Sequence, residues 1–328
     1  MNQLRAPFVF RRGASAISAL VIHAEGSWHD SIKADKFDFF TKLVRHATKQ
    51  GLTSRVVSAE SNTSKLLLTQ NHIHIMVGDL PGYAPGRLHA VPTHVWGFWY
   101  LDEVGVRWNS SLRFARFCPA EVDADKAEYF FNGVSGYMLR ENVSNIPQEV
   151  RMKNPMQEAA AVVYCQEIDD APTRSHYLGT EQMIRVTAST CAGEKVYVKP
   201  HPNQSKAVRK AIMDVAADYQ NVIVSDASIH DLTDASRMVV TQNSAAGFEA
   251  LMQKRCVITC AKSDYWHATL TPRRESDLRE ALKFGPEAMA DFPYEKYFYW
   301  FPGRNCLDPA KEAFAKRAWA LIKDKVFL

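Results

Sequence analysis

The chain has 328 residues, of which 46% are hydrophobic and 23% charged, with a net charge of +4 at pH 7. This length predicts two domains, and the composition excludes a disordered or fibrous protein. The mild positive charge suits an anionic small molecule or an acidic membrane surface, but it is too small for a nucleic-acid-binding protein. Six scattered cysteines without metal-ligand spacing indicate reduced thiols in a cytosolic protein.

The N-terminal segment is not typical of a secretory signal peptide. Residues 14–24 are apolar, but Ser15, Ser18 and His23 interrupt them and no cleavage site follows. No stretch approaches the roughly 20 apolar residues that span a bilayer. We therefore expect a cytoplasmic protein that touches the inner membrane, if at all, only peripherally.

The first half begins with β-α-β alternation. Strand-like runs occupy residues 19–23, 54–58 and 73–77, and residues 37–47 have helical spacing, which predicts a parallel sheet covered by helices. Glycines and prolines then surround an aromatic run at 96–101, which predicts loops and short strands beside a cleft, or a second hydrophobic layer. The sequence NIPQ at 145–148 is the candidate linker, so we predict an acceptor-side α/β domain over residues 1–148.

Beyond the linker, strands and helices alternate regularly. The predicted strands are 160–165, 196–198, 222–224, 238–241 and 256–260, and the predicted helices are 181–189, 205–219, 229–235 and 243–254. Five strands with four intervening helices predict a doubly wound, Rossmann-like domain over residues 149–308. Residues 309–328 form a C-terminal helix that could pack back on the first domain. The predicted fold class is thus α/β, with two Rossmann-like domains facing across a cleft.

Polar residues follow the predicted strands of the second half. In an open parallel sheet, ligands bind beyond the carboxyl ends of the strands. The candidate site therefore consists of four short sequences, QEIDD at 166–170, KPHP at 199–202, SD at 225–226 and TQNS at 241–244. Their convergence on one sheet edge is a stronger indication than any one of them.

Two prolines flank His201 and hold the backbone extended just past a buried strand. A histidine there can donate a hydrogen bond to a phosphate and protonate it as it leaves. A histidine bonded to backbone in a rigid loop is an equally good interpretation.

Ser244 lies at or near the N-cap of the helix that follows the fourth strand. Free N–H groups and the helix dipole favour a phosphate at such a position. Gly247 permits a close backbone approach, and Glu249 could accept hydrogen bonds from ribose hydroxyls. An ordinary cap with an exposed glutamate fits the same pattern.

Asp169 and Asp170 follow a buried strand, where a carboxylate can face a ligand. Glycosyl transfer uses a carboxylate as base or as nucleophile at the anomeric carbon. Adjacent acids point to different sides, so at most one would be catalytic, and an acidic surface turn is the alternative. His72 and His74 share a strand face without a third ligand, so no metal site is predicted.

In this order, the motifs resemble those of the capsule polysaccharide β-Kdo transferases, the Kdo-linker synthase family of Gram-negative capsule and lipopolysaccharide assembly. The resemblance covers roughly residues 159–265 and implies a GT-B-like fold, CMP-Kdo as donor and a glycolipid or oligosaccharide acceptor. It also implies retention of configuration without a metal or other cofactor. Pro172 departs from the serine of the family's acidic motif, and residues 261–266 lack its usual glycine run.

The resemblance also implies roles for individual residues. His201 and Ser244 would hold the CMP phosphate, Glu249 would bind the nucleotide, and Asp170, or else Asp169, would act at the sugar. We expect further substrate contacts from Gln166, Lys199, Pro202, Thr241, Asn243 and Gly247.

Three alternatives stay open. CDP-glycerol-type polyol-phosphate transferases also carry a His-Pro turn, although Gly247 and Glu249 favour the Kdo interpretation. A sialyltransferase-like enzyme would use the same His-Pro turn and the same serine to bind a donor with a similar acidic sugar. A non-catalytic polysaccharide assembly or export factor could keep the fold, but the joint presence of His201, Ser244, Glu249 and the acid pair argues against it.

Overall fold

The computed structural model describes residues 17–78 and 84–326. It divides into two compact units, one comprising Met1–Ala90 with Pro309–Leu328 and the other Val91–Asp308. The segment considered as a signal peptide lies partly outside the described residues, since only residue 17 onward belongs to them. Within those ranges, no helix combines the length and apolar character needed to cross a membrane.

The first unit contains a four-stranded parallel sheet in the order β2-β1-β3-β4. Its elements are β1 (Ala19–Ala24), α1 (Ser27–Lys33), α2 (Asp38–Lys49), β2 (Thr53–Ser58), α3 (Asn62–Leu67), β3 (Ile73–Val77) and β4 (Arg87–His89). The three predicted strands and the predicted helix are all present. The helical spacing arises because α2 buries Phe39, Phe40, Leu43 and Ala47 on one face.

The C-terminal helix (Phe314–Val326) belongs to this first unit. It packs against α2, with the rings of Phe314 and Phe39 centred 5.2 Å apart. Further along both helices, the Trp319 ring lies 5.5 Å from the His46 ring. The helix therefore packs beside α2 and takes part in the core of the first unit.

The second unit contains a five-stranded parallel sheet in the order β7-β6-β5-β8-β9. Its strands are β5 (Ala159–Tyr164), β6 (Val196–Lys199), β7 (Val222–Val224), β8 (Ser236–Thr241) and β9 (Cys256–Thr259). Its helices are α4 (Ala124–Arg140), α5 (Thr180–Thr190), α6 (Lys206–Ala217), α7 (Ile229–Ala235), α8 (Ala245–Ala250), α9 (Glu275–Ala288) and α10 (Tyr294–Phe298). All five predicted strands are found within two residues of their expected ends. The helix predicted over 243–254 is shorter, because α8 ends at Ala250 and a 3-10 turn follows.

The boundary between the two units lies between Ala90 and Val91. The boundary predicted at residue 148 therefore lies inside the second unit. The reason is that apolar side chains of residues 91–148, such as Phe131 and Met138, join the core of the second unit. The predicted linker is likewise bonded to that unit. Gln148 Oε1, for example, accepts a hydrogen bond from the Ile229 backbone N–H over 3.1 Å.

The aromatic run at 96–101 forms mainly a hydrophobic layer. Phe98 and Tyr100 are buried in the core of the second unit, whereas Trp96 is half-exposed. The six cysteines are all thiols without a disulfide, and five of them are buried. Burial raises the pKa of the Cys165 and Cys256 thiols to about 12, so both are protonated at neutral pH.

Candidate functional site

Hydrogen bonds join the loops at the carboxyl edge of the second sheet. The chain adds β6 and β7 on one side of β5 and then returns to add β8 on the other, which makes the β5–β8 crevice the topological switch point. There the Asn243 N–H donates to Gln166 Oε1 (2.8 Å), and Gln166 Nε2 donates to Asn243 Oδ1 (3.1 Å). Glu167 Oε2 accepts from the Ser205 N–H (2.8 Å), and Asn243 Nδ2 donates to the Lys262 carbonyl (2.9 Å). The loops after β5, β6, β8 and β9 are thus fastened together.

The two acids of the β5 loop have different surroundings. Asp169 Oδ2 accepts from the N–H of Thr180, the first residue of α5, over 2.8 Å, and its Oδ1 accepts from Gln242 Nε2 over 2.5 Å. These bonds make Asp169 an anchor for α5 and for the β8 loop. Asp170 is exposed, and among the described residues no hydrogen bond or ion pair holds its carboxylate. Of the predicted pair, only Asp170 is free to act on a ligand.

His201 is half-buried on the β6 loop and has a fixed tautomer. The Asn203 N–H donates to Nδ1 (3.2 Å), so the proton of the neutral ring lies on Nε2. Burial, followed by the charge of Lys199, lowers the pKa of His201 below its ordinary value. The ring is therefore neutral at pH 7 and presents Nε2–H as a single donor.

Lys199 holds the neighbouring loop in place. Its Nζ donates to the carbonyl oxygens of Asp226 and Ala227, each over 2.8 Å, and the side chain is buried. Burial lowers its pKa, although the charge of Asp226 acts in the opposite direction. With two of its three N–H donors used in this way, Lys199 fixes the turn after β7. Pro202, the next predicted contact, is exposed.

Ser244 is the N-cap of α8, and its Oγ accepts from the Ala246 N–H over 3.2 Å. The hydroxyl proton of Ser244 is therefore available to a ligand. A Cβ added to Gly247 would lie 2.7 Å from Thr241 Cγ2 and 2.9 Å from Tyr265 Oη, which explains the glycine as a site of close packing. Tyr265 in turn donates to the Ser244 carbonyl (2.7 Å) and fixes the start of α8.

Two predicted substrate-binding residues are covered in this conformation. The Thr241 hydroxyl is fully buried and donates to the Tyr164 carbonyl over 3.0 Å, so it ties β8 to β5. Glu249 is 1% exposed, and its Oε1 accepts from Ser144 Oγ over 2.8 Å. Burial raises the pKa of Glu249 to about 8. A ribose could reach this carboxyl only if the segment around Ser144 moved.

A cavity of about 430 Å³ opens beside the β5 loop, between α5 and α6. Gln166, Asp169 and Asp170 line its polar side, while Ile184 and Ile212 contribute to its apolar floor. His201 and Ser244 are not among the residues that line this cavity. Within residues 17–78 and 84–326, no three His, Cys, Asp or Glu side chains are grouped to hold a metal ion.

Sequence reasoning gave no individual role to three residues that shape the site, although Glu167 and Gln242 lie within the candidate loops. Gln242 is fully buried and supports Asp169, Glu167 joins the β5 and β6 loops, and Tyr265 fixes α8. Gln242 lies between two residues that were selected, and Tyr265 follows the last strand of the sheet. Their positions after strands indicated that Gln242 and Tyr265 lie near the site. Those positions did not indicate that they bond to Asp169 and to the Ser244 carbonyl.

Comparison with known proteins places this geometry in context. A family model described as "Capsule polysaccharide biosynthesis protein" matches residues 128–292. The β-Kdo 2,4-transferase KpsC of Thermosulfurimonas dismutans aligns with a TM-score of 0.50 and 16% identity, over 83% of this chain and 91% of that chain. The β-Kdo 2,7-transferase KpsC of the same organism gives 0.48 and 14%, over 80% and 89%. No curated protein sequence matches. The first of these alignments shows a Rossmann-like fold of the GT-B type.

Proposed function

Because the chain belongs to the capsule polysaccharide biosynthesis protein family, we propose that it is a glycosyltransferase that moves Kdo, or a related acidic sugar, from a CMP-activated donor. The acceptor is a glycolipid or a saccharide of capsule or lipopolysaccharide biosynthesis. The fold similarity to a solved β-Kdo 2,4-transferase is compatible with this assignment. The residues at the switch point of the second sheet supply the chemical support.

One observation carries the proposal. An unpaired carboxylate, Asp170, and a neutral imidazole donor, His201, stand on the loops of two adjacent strands, β5 and β6. Adjacent strands lie about 5 Å apart, so the two loops begin close to each other. Glu167 bonds one loop to the other, which limits their relative movement.

The phosphate of the donor would be held by neutral hydrogen-bond donors. His201 lies on the loop after β6, on one side of β5, and Ser244 begins α8 after β8, on the other side. Both groups would stabilise the negative charge that builds on CMP as the bond to the sugar breaks. Departure of CMP needs no acid, since the phosphate is already a stable anion.

Asp170 would act at the anomeric carbon. In the first step its carboxylate oxygen forms a bond to that carbon, and CMP leaves with the electron pair of the broken C–O bond. In the second step an acceptor hydroxyl attacks the same carbon, expels Asp170 and loses its proton to a base. Two inversions give net retention. No metal or other cofactor takes part in the proposed steps, whereas CMP-sugar is a substrate.

The test compares the two adjacent acids. Asp170→Asn should lower transfer from CMP-Kdo by about 1000-fold or more while leaving the melting temperature unchanged, since it removes a nucleophile. Asp169→Asn, the matched control, should instead lower the melting temperature, because Asp169 accepts from the Thr180 N–H and from Gln242. Near-normal transfer by Asp170→Asn would overturn the assigned role.

Donor identity is tested by calorimetry with CMP, CDP-glycerol and UDP. We expect CMP to bind best, and His201→Ala to weaken its binding by about tenfold or more, as loss of a hydrogen bond to a charged group predicts. Tighter binding of CDP-glycerol would favour polyol-phosphate transfer. Binding of CMP without transfer to any saccharide acceptor would favour an assembly factor.

A further inference from the structure

Two segments of the second unit carry exposed cations and no exposed acid. Residues 107–117 contain three arginines and no acidic residue. Residues 260–268 contain Lys262, which is exposed, and Asp264, which is fully buried. Asp264 is already bonded, since His94 Nε2 lies 2.9 Å from Oδ1 and Tyr100 donates to Oδ2 over 2.7 Å. The surface formed by these segments is therefore positively charged.

Two aromatic side chains stand exposed in this charged surface. Phe114 is 69% exposed and Trp266 is 48% exposed. They are neighbours, since Trp266 Nε1 donates to the Arg113 carbonyl over 2.9 Å. The Arg113 guanidinium lies 4.3 Å from the centre of the Phe114 ring. Arg116, also exposed, follows two residues later. We call these five residues, Arg113, Phe114, Arg116, Lys262 and Trp266, the basic aromatic surface.

The mixture of exposed rings and cations has a specific chemical meaning. Large apolar side chains gain free energy by leaving water, and a ring at the level of lipid head groups can do so while adjacent cations stay solvated. Lysine and arginine next to such rings add attraction to anionic lipids. Phe284 on α9 gives a contrast, because it is 61% exposed on a helix that also carries Glu275, Asp277, Glu280 and Glu287. An exposed ring alone therefore does not define the basic aromatic surface; the cations beside its rings do.

The basic aromatic surface is bonded directly to the candidate site. The Lys262 carbonyl accepts from Asn243 Nδ2, and Tyr265, beside Trp266, donates to the Ser244 carbonyl. The loop that carries Lys262 and Trp266 therefore also holds the β8 loop and the start of α8. A membrane bound at this surface would lie next to the loops of the site.

We propose that the basic aromatic surface docks the protein onto an anionic lipid membrane, with Phe114 and Trp266 entering the head-group region and Arg113, Arg116 and Lys262 facing lipid phosphates. This goes beyond the proposed function, because it does not depend on the donor sugar. Docking at this surface would bring a lipid-linked acceptor in the membrane close to the site.

The test uses the full chain and vesicles of phosphatidylcholine with or without phosphatidylglycerol. Sedimentation with vesicles should show binding only when phosphatidylglycerol is present, and the binding should weaken at high salt. Arg116→Gln should reduce the partition coefficient about fivefold, the effect of one cation near an anionic surface. Phe114→Ser should reduce it about tenfold, the effect of one ring withdrawn from the interface.

Matched controls are available on α9. Lys283→Gln and Phe284→Ser remove a neighbouring exposed cation and ring of the same unit, and both should leave vesicle binding unchanged. Circular dichroism checks that each variant is folded, and CMP binding should be equal in all of them.

Three results would overturn the proposal. In the first, the protein does not bind phosphatidylglycerol vesicles; in the second, it binds neutral vesicles equally well; in the third, the variants of the basic aromatic surface and the control variants lose binding equally. Lipid-independent self-association that Phe114→Ser abolishes would also overturn it and identify a contact between copies of the chain. Failure of CMP binding in the unaltered protein would instead count against the proposed function alone.

Discussion

Replacing Glu249 by glutamine is expected to make the stability of the second unit less dependent on pH. The carboxyl is 1% exposed, and burial raises its pKa to about 8 although Ser144 Oγ and the Asn145 N–H donate to it. Its Oε2 has no hydrogen-bond partner among the described residues. The folded state therefore favours the protonated, neutral carboxyl.

The magnitude follows from the difference between this pKa of about 8 and the ordinary value of 4.5. Each pKa unit corresponds to about 1.4 kcal/mol, so the whole difference corresponds to about 5 kcal/mol. The folded-state pKa is raised, so the stabilising contribution is complete below about pH 4.5. It is lost as the pH rises through about 8. Glutamine keeps the shape of the neutral acid and cannot ionise, which removes this loss.

The measurement is the free energy of unfolding from pH 5 to pH 8 by chemical denaturation, with amide exchange in β8 and α8 to localise the change. Relative to the unaltered protein, Glu249→Gln should gain about 1.4 kcal/mol per pH unit across this range. Glu181→Gln, which alters an exposed glutamate on α5, controls for the general effect of losing a negative charge.

A stability difference between Glu249→Gln and the unaltered protein that is equal at pH 5 and pH 8 would refute this reasoning. It would mean that water or a movement of the segment around Ser144 solvates the carboxylate. In that event Glu249 could also reach a ribose, and its replacement should weaken CMP binding.

Two further changes test the packing around the site. Gly247→Ala should destabilise the protein by about 1–3 kcal/mol, less any gain in helix propensity, because the new methyl group meets Thr241 and Tyr265. Gly133→Ala in α4 has open space and should stabilise by up to about 1 kcal/mol, so equal shifts in melting temperature for the two would contradict the close approach at Gly247. Lys199→Met should cost about 1.5–3 kcal/mol through the lost bonds to Asp226 and Ala227, and it should raise the pKa of His201 in an NMR titration by removing a nearby charge. An unchanged His201 pKa would argue against that charge effect.

The elements of the second sheet could be predicted because each strand is a short apolar run between polar turns. β5, for instance, is buried at all six positions, as expected for a parallel strand covered on both faces. The domain boundary could not be predicted in this way. Asn145 and Pro147 look like linker residues, but the segment is held by side chains distant in sequence, such as Ser144 on Glu249 and Gln148 on Ile229.

The sequence predicted that the loops after the strands meet at one edge of the second sheet, as their hydrogen bonds show, but it did not predict the partners of each side chain. Alternation of strands and helices predicts a parallel sheet, in which the loops after the carboxyl ends of the strands lie at one edge, whereas the strand order that defines the switch point comes from the structure. Which of two adjacent acids is free depends on side-chain direction, and Asp169 is occupied by Gln242 and Thr180 in a way that no local pattern indicates. Glu249 was assigned to the ligand because its helix begins at the site, but its own side chain turns into the core.

The first unit is built from two distant parts of the chain, since the polypeptide leaves it at Ala90 and returns at Pro309. During translation the second unit is complete once residue 308 has left the ribosome, and it can fold while the first unit still lacks its last helix. Until Phe314 is made, the aromatic ring of Phe39 on α2 has no partner from that helix. The first unit can therefore be completed only after the whole of the second unit has been made, and until then α2 lacks the contacts that the last helix supplies.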